Sequence, residues 1–146
     1  MKIGFIGLGN VGGKLAGSLL RNGFDLTVRD LNQEIASPFL DNGAKWGESP
    51  KKIAETVELI ITCLPNPEAS ATVMEADDGV LAGISHGKVW AEMSTTDEEE
   101  VKRLGKMVHE LGGEALDCPV SGGCHRAATG NISIFVGGER SSFEKI

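Results

Sequence analysis

A glycine-rich run near the start of the chain is the part of the sequence best suited to bind a ligand. It consists of Gly7, Leu8, Gly9, Asn10, Val11 and Gly12. Gly7 would allow a tight turn, Gly9 would let a pyrophosphate approach the backbone, and Gly12 would let a helix pack close to a strand. The free N–H groups at the start of that helix would then bind the anion. A glycine turn that binds nothing is the alternative, but strand-like residues precede the run and a helical pattern follows it.

Asp30 is the second candidate, 18 residues beyond Gly12 at the end of the next predicted strand. A carboxylate there can accept both ribose hydroxyls of NAD, whereas the 2′-phosphate of NADP would meet a like charge. Arg29 competes with this interpretation, because a guanidinium could pair with the phosphate. If the strand ends at Asp30, the Arg29 side chain should point to the opposite face of the sheet. The sequence therefore favours NAD over NADP.

A third group of motifs lies further along the chain. The segment 117–123, with the letters DCPVSGG, resembles the DAPVSGG signature of the β-hydroxyacid dehydrogenases, the family of 3-hydroxyisobutyrate dehydrogenase. Cys63-Leu64-Pro65 is similar to the family's exit from its fourth strand, and Met93-Ser94-Thr95 to its motif after the fifth. Gly130-Asn131 and Val136-Gly137-Gly138 continue the match. Several motifs in the family's order are more specific than any one of them, and the resemblance covers the whole chain.

The resemblance implies roles for individual residues. Leu64, Pro65 and Thr95 would border the nicotinamide side of the cofactor. The substrate carboxylate would be held by Ser121, Gly122 and Gly123, since a hydroxyl and glycine-exposed N–H groups are suitable donors. The implied reaction is reversible hydride transfer between NAD and the C3-hydroxyl carbon of a small 3-hydroxy acid. From spacing alone, Ser121 would be read as a turn residue.

The sequence departs from the family's pattern directly after Gly123. Cys124, His125 and Arg126 stand where 3-hydroxyisobutyrate enzymes usually carry small residues. An arginine at the edge of a substrate pocket could pair with a second acidic group, which would indicate a larger or more acidic substrate. A solvated Arg126 at the start of a helix is the simpler interpretation.

Alternating strands and helices must position these residues. Strands are predicted at Lys2–Ile6, Asp25–Arg29, 57–64, 88–92 and Glu114–Asp117. Such alternation predicts one doubly wound α/β domain over residues 1–146, with a mostly parallel sheet of the Rossmann type.

Helices are predicted between these strands from their apolar spacing and their end signals. One covers 14–20, and another covers 97–111 with Thr96 and Glu99 as a capping box and Gly112-Gly113 as its stop. Ser49 before Pro50 predicts a further start. Pro38 should break the second helix, which would restart with Ser37 as its cap.

The family's catalytic lysine lies in a C-terminal helical domain, so no catalytic base is assigned within this sequence. A predicted capping box from Ser141 to Glu144 would open a helix that Ile146 cuts short. We therefore expect a fragment that is inactive alone, whose missing domain supplies the lysine and most of a homo-oligomer interface.

Composition excludes several other classes of function. The net charge of −7 leaves no basic surface for nucleic acid, and runs such as Leu59-Ile60-Ile61 are too short to span a membrane. The three cysteines form no CxxC pair and the three histidines are far apart, so no metal site is expected. An odd number of cysteines and no secretory signal predict a cytoplasmic protein.

Two alternatives to a 3-hydroxyacid dehydrogenase stay open. A reductase of the same family could act on succinic semialdehyde or glyoxylate, while the carboxylate-binding segment argues against an imine. The domain could instead be a non-catalytic module that only binds cofactor, and the unseen lysine would decide between these.

Overall fold

Short strands alternate with helices along the whole chain, as the sequence predicts. The computed structural model describes residues 1–146. In chain order the elements are β1 (Lys2–Ile6), α1 (Gly12–Arg21), β2 (Asp25–Arg29), a 3-10 turn (Gln33–Ala36), α2 (Ser37–Leu40), β3 (Lys45–Trp46), α3 (Pro50–Thr56), β4 (Leu59–Thr62), α4 (Pro67–Glu75), a second 3-10 turn (Val80–Ala82), β5 (Val89–Glu92), α5 (Glu98–Glu110), β6 (Glu114–Asp117), β7 (Val120–Ser121), α6 (Gly123–Thr129), β8 (Ser133–Ile134), β9 (Gly137–Gly138) and α7 (Arg140–Phe143).

Seven strands form one sheet in the order β3-β2-β1-β4-β5-β6-β9. All neighbours in it run parallel except β6 and β9, and a separate antiparallel ribbon joins β7 to β8. The doubly wound, mostly parallel Rossmann-type sheet is therefore confirmed. The strand order reverses between β1 and β4, which places a crevice beyond their carboxyl ends, where ligands bind in such sheets.

The sheet is buried on both faces, which explains why its central strands show no polar alternation. Phe5 and Ile61 belong to a core of 16 buried residues on one face. Ile6, Ile60 and Trp90 belong to a second core of 11 buried residues on the other. Consecutive residues of one strand thus enter opposite cores, and the strand ends are held rigidly between them.

Predicted element boundaries agree in part. β1, β2 and β6 have the predicted bounds, and Ser49 caps α3 by accepting a hydrogen bond from the Lys52 N–H at 3.1 Å. β4 is shorter than the predicted 57–64, because Val57 ends α3 and the chain leaves the sheet after Thr62. α4 and the two-residue strands β3, β7, β8 and β9 have no predicted counterpart, since segments so short or so weakly periodic give no signal.

Three predicted caps were wrong. Asp97, not Thr96, caps α5, because its carboxylate accepts from the Glu100 N–H at 3.0 Å. Ser37 is not the N-cap of α2, since the 3-10 turn capped by Asn32 continues directly into that helix. Ser141 lies inside α7, which begins one residue earlier without a side-chain cap.

Candidate functional site

The turn after β1 requires glycine at two positions for reasons internal to the fold. Gly7 has a φ of +100°, and a Cβ there would lie 2.2 Å from the Cys63 carbonyl oxygen. A Cβ on Gly12 would lie 2.1 Å from the Gly7 carbonyl oxygen. No side chain fits at either distance, so Gly7 lets the turn approach the end of β4 and Gly12 lets α1 pack onto the turn.

Gly9 differs from both of these glycines. Its φ is not positive, and a Cβ added there would meet no atom within 4 Å. The residue is exposed, so neither conformation nor packing in this chain calls for glycine. The space above Gly9 is what a ligand lying against the backbone would need, and the residues present fit a dinucleotide pyrophosphate in this respect.

The start of α1 adds donors beside that space. α1 has no side-chain cap and no acidic residue in its first turn. The N–H groups of Gly9, Asn10, Val11 and Gly12 donate to no carbonyl of the protein, whereas the Gly13 N–H already bonds the Gly9 carbonyl at 2.8 Å. A helix start left open in this way, with no acidic residue in its first turn, can accept an anion.

Asp30 is fixed against the turn. One carboxylate oxygen accepts from the Leu8 N–H at 2.7 Å, and the other accepts from the Asn32 N–H at 3.0 Å. Each carboxylate oxygen retains a further lone pair for a hydroxyl donor. The structure therefore brings Asp30 to the glycine turn with acceptor capacity to spare.

Arg29 is held on the side of β3 and not at the turn. Its Nη1 donates to the carbonyls of Gly47 at 2.9 Å and Glu48 at 2.7 Å. Its guanidinium also lies over the Trp46 ring, 5.6 Å from the centroid. These contacts agree with the expectation that Arg29 and Asp30 point to different sides.

The loops after β4 and β5 meet next to the turn. The Leu64 N–H donates to Ser94 Oγ at 2.7 Å, and a Leu64 methyl group lies 3.1 Å from the Cβ position of Gly7. Pro65 follows Leu64, and Thr95 follows Ser94 with its side chain exposed. The predicted nicotinamide-side residues thus lie on adjacent loops at the carboxyl edge of the sheet.

Two buried polar residues behind these loops were not expected. Glu92 is fully buried at the end of β5, and Ser94 is 3% exposed. Burial raises the pKa of the Glu92 carboxyl, although hydrogen bonds from Ser94, Ser70 and Thr62 oppose the rise. A carboxylate within an otherwise apolar strand, two residues before a serine, was the available sequence signal.

The segment 121–123 is arranged differently. Ser121 is exposed on β7 opposite Ser133, and its hydroxyl bonds no protein group. Gly122 and Gly123 have φ values of +135° and +76°, which only glycine adopts readily. The aliphatic part of Arg126 lies close to Gly122. The Arg21 guanidinium on α1 donates a hydrogen bond to the Ala128 carbonyl on α6, and this bond joins the two helices.

An apolar groove of about 380 Å³ lies on the sheet face near the end of the chain. Its lining includes Ile61, Cys118, Val136, Phe143 and Ile146. The ten lining residues are all hydrophobic, so the groove offers no donors for a phosphate or a carboxylate.

Thiol, metal and membrane features add little to the site. Burial raises the pKa of Cys63 and Cys118 to about 11, with Glu92 adding to both shifts, so both thiols are protonated at neutral pH. The structure shows no cluster of three or more His, Cys, Asp or Glu residues suited to a metal ion. None of its helices has the length and apolar character needed to cross a bilayer.

Comparison with known proteins gives a match over nearly the whole chain. The model of the NAD binding domain of 6-phosphogluconate dehydrogenase matches residues 2–146. Mitochondrial 3-hydroxyisobutyrate dehydrogenase of Rattus norvegicus is 36% identical over 141 residues, which are 97% of this chain and 42% of that protein. Cytokine-like nuclear factor N-PAC of Homo sapiens is 34% identical over 143 residues, covering 98% of this chain and 26% of that protein.

A solved structure is similar in fold as well. Psf3 in complex with NADP+ and 2-OPP superimposes with a TM-score of 0.93 at 28% identity, covering 97% of this chain and 50% of that one. The chain therefore spans half or less of the length of these proteins.

Proposed function

Since this chain belongs to the family of NAD binding domains of 6-phosphogluconate dehydrogenase, we propose that it binds NAD for hydride transfer to and from a small 3-hydroxy acid. The main support for this proposal is the open space above Gly9, close to four N–H groups that donate to no carbonyl of the protein. It supports a pyrophosphate at the start of α1.

The preference for NAD over NADP rests on two neighbouring side chains. Asp30 is anchored to the Leu8 N–H and keeps free lone pairs, so it suits the ribose hydroxyls and repels a 2′-phosphate. Arg29 is engaged with the Gly47 and Glu48 carbonyls and would have to break these bonds to reach a phosphate. The NADP+ in the Psf3 structure shows that similar folds also take the phosphorylated cofactor.

The remaining roles divide between the two sides of the crevice. A bound nicotinamide supplies or accepts the hydride. Leu64, Pro65 and Thr95 would border its ring, and the 121–123 segment would hold the substrate carboxylate through the Ser121 hydroxyl and glycine N–H groups. A second acidic group of the substrate could reach Arg126, whose side chain is exposed beside Gly122.

Proton transfer is assigned to no residue of this chain. We propose that residues 1–146 form one domain, and that a C-terminal helical domain supplies the proton-transfer lysine and most of a homo-oligomer interface. This chain aligns with only 42% of the Rattus norvegicus relative, which supports a division into two domains. The chain alone should then bind cofactor but not turn over substrate.

We also propose a reducing compartment, with the cytoplasm as the first choice. The three cysteines are free in the structure, which supports this assignment. One relative is named as mitochondrial and another as a nuclear factor, so those compartments are the alternatives.

Calorimetric titration of the chain with NADH and NADPH at fixed ionic strength tests the proposal. We expect NADH to bind at least about tenfold more tightly, and Asp30→Ala to abolish the difference. Asp25→Ala, at the other end of β2, is the matched control and should leave both affinities unchanged. Tighter binding of NADPH would overturn the NAD assignment, and binding of neither would contradict the proposed function.

Two alternatives stay open, and the second has specific support. A reductase of the same family that acts on succinic semialdehyde or glyoxylate would use the same carboxylate-binding segment. A non-catalytic cofactor-binding module is favoured by the 34% identity to N-PAC, which is named as a nuclear factor. A longer polypeptide that binds NADH but oxidises no hydroxy acid would favour the module.

A further inference from the structure

A continuous hydrogen-bonded chain connects Glu92 to the two loops beside the glycine turn. The Leu64 N–H donates to Ser94 Oγ at 2.7 Å, and the Ser94 hydroxyl donates in turn to Glu92 Oε1. The Ser94 N–H donates to the same oxygen at 2.9 Å. Glu92 Oε1 therefore fixes the Ser94 backbone, which leads into Thr95. Through the Ser94 hydroxyl it also fixes the Leu64 backbone.

The second carboxylate oxygen is tied to the body of the domain. Ser70 Oγ on α4 donates to Glu92 Oε2 at 3.0 Å. Its direct donors come from α4 and the loop after β5, and the Ser94 hydroxyl also accepts from the Leu64 N–H in the loop after β4. The buried carboxyl therefore joins three separate segments.

No basic side chain pairs with Glu92, although its side chain is fully buried. A buried carboxyl without a cation is costly unless its hydrogen bonds are complete. An apolar residue would fill the end of β5 without that cost, as in the rest of the strand. The hydrogen bonds that Glu92 makes to the loops are what such a residue could not replace.

We propose that Glu92 is a positioning residue for the nicotinamide half of the cofactor site. Acting through Ser94, it holds Leu64 and Thr95 in one fixed arrangement without touching the cofactor itself. The inference rests on the proposed function, because it requires a nicotinamide between the loops that follow β4 and β5. A supporting network of this kind determines how closely the contacting groups keep their geometry.

The test compares NADH with ADP-ribose, which carries the adenosine and the pyrophosphate but no nicotinamide. Calorimetry of the chain should give a NADH to ADP-ribose affinity ratio well above one. Ser94→Ala and Glu92→Met should lower that ratio about tenfold while leaving ADP-ribose affinity unchanged. A role in folding alone would lower both affinities together or neither.

Two conservative variants serve as controls. Glu92→Gln should keep the ratio within about threefold, because an amide oxygen at the Oε1 position accepts both Ser94 donors. Ser70→Ala removes a bond to Oε2 but not the loop connection, so it should also keep the ratio. If Glu92→Met does not fold, Ser94→Ala decides, since it removes one hydroxyl and retains the Ser94 backbone bond.

The outcomes separate this proposal from the function on which it rests. Binding of neither ligand by the wild-type chain would contradict the proposed function. Equal affinity for NADH and ADP-ribose in the wild type would overturn only the role of Glu92. An unchanged ratio in folded Ser94→Ala would overturn it as well.

Discussion

The glycine turn and the 121–123 segment carry the two most specific motifs of the chain, and the structure supports them very differently. The turn is tied to its neighbours by the Gly7 N–H to the Arg29 carbonyl at 2.9 Å and the Leu8 N–H to Asp30 at 2.7 Å. Ser121 is exposed on a two-residue strand, and its hydroxyl bonds nothing. The glycine turn is held by hydrogen bonds within this chain, whereas the Ser121 side chain makes none.

The surroundings of the second region lead to the same conclusion. The apolar groove near the chain end is lined only by hydrophobic residues, and Phe135, between the lining residues Ile134 and Val136 in the chain, is 63% exposed. Exposed apolar surface of this kind is typical of protein interfaces and of ligand-binding grooves. Under the proposed function, cofactor binding should therefore rest on the hydrogen-bonded glycine turn, and substrate binding on the less supported 121–123 segment.

The largest effect is expected from Gly7→Ala, which places a Cβ on the Cys63 carbonyl at a positive φ. We expect a loss of about 3 kcal/mol in the free energy of unfolding, from the left-handed strain together with the clash. Gly123→Ala is the matched control, because Gly123 also has a positive φ but open space around it. It should cost only about 1 kcal/mol.

Urea unfolding of both variants checks this difference. An equal loss in the free energy of unfolding of the two variants would mean that the glycine turn is packed no more closely than the 121–123 segment. The contrast between the two regions would then be wrong.

A smaller effect is expected from Arg29→Ala, which removes the bonds to the Gly47 and Glu48 carbonyls and the stacking on Trp46. The free energy of unfolding should fall by about 1 kcal/mol. The ratio of NADH to NADPH affinity, measured by calorimetry, should not change, because the guanidinium is already engaged with the Gly47 and Glu48 carbonyls and not with the glycine turn. Weakened NADPH binding would place Arg29 at the phosphate after all.

The smallest effect is expected from Ser121→Ala. Since the hydroxyl bonds no protein group, the free energy of unfolding should change by less than about 0.5 kcal/mol. NADH affinity should stay the same, because the residue belongs to the substrate side. A loss of NADH binding in this variant would show that the two regions are not separate, as would a large loss of stability.

Much of the fold could be predicted because its strands are short apolar runs with clear breaks. β1, β2 and β6 follow from pattern alone, and the tight turn at Gly7 follows from the motif. The cap of α5 could not be predicted with certainty, because Thr96 and Asp97 are adjacent and both residue types cap helices. Only the geometry of the chain entering α5 selects the aspartate.

The candidate site divides in the same way. The glycine turn and Asp30 could be placed from sequence because the motif contains its own spacing. The Glu92 network could not, since it joins Leu64, Ser70 and Ser94, which are brought together only by the parallel pairing of β4 with β5 and the packing of α4. The partners of a buried polar group depend on tertiary contacts that no local pattern encodes.

Gly9→Ala tests the central claim most directly, because the structure leaves room for that methyl group and the φ is ordinary. We expect an unchanged thermal unfolding midpoint and NADH affinity at least about tenfold weaker, because the methyl group would occupy the space of the pyrophosphate. NADH binding equal to that of the wild type, with the fold intact, would contradict a dinucleotide site at this turn.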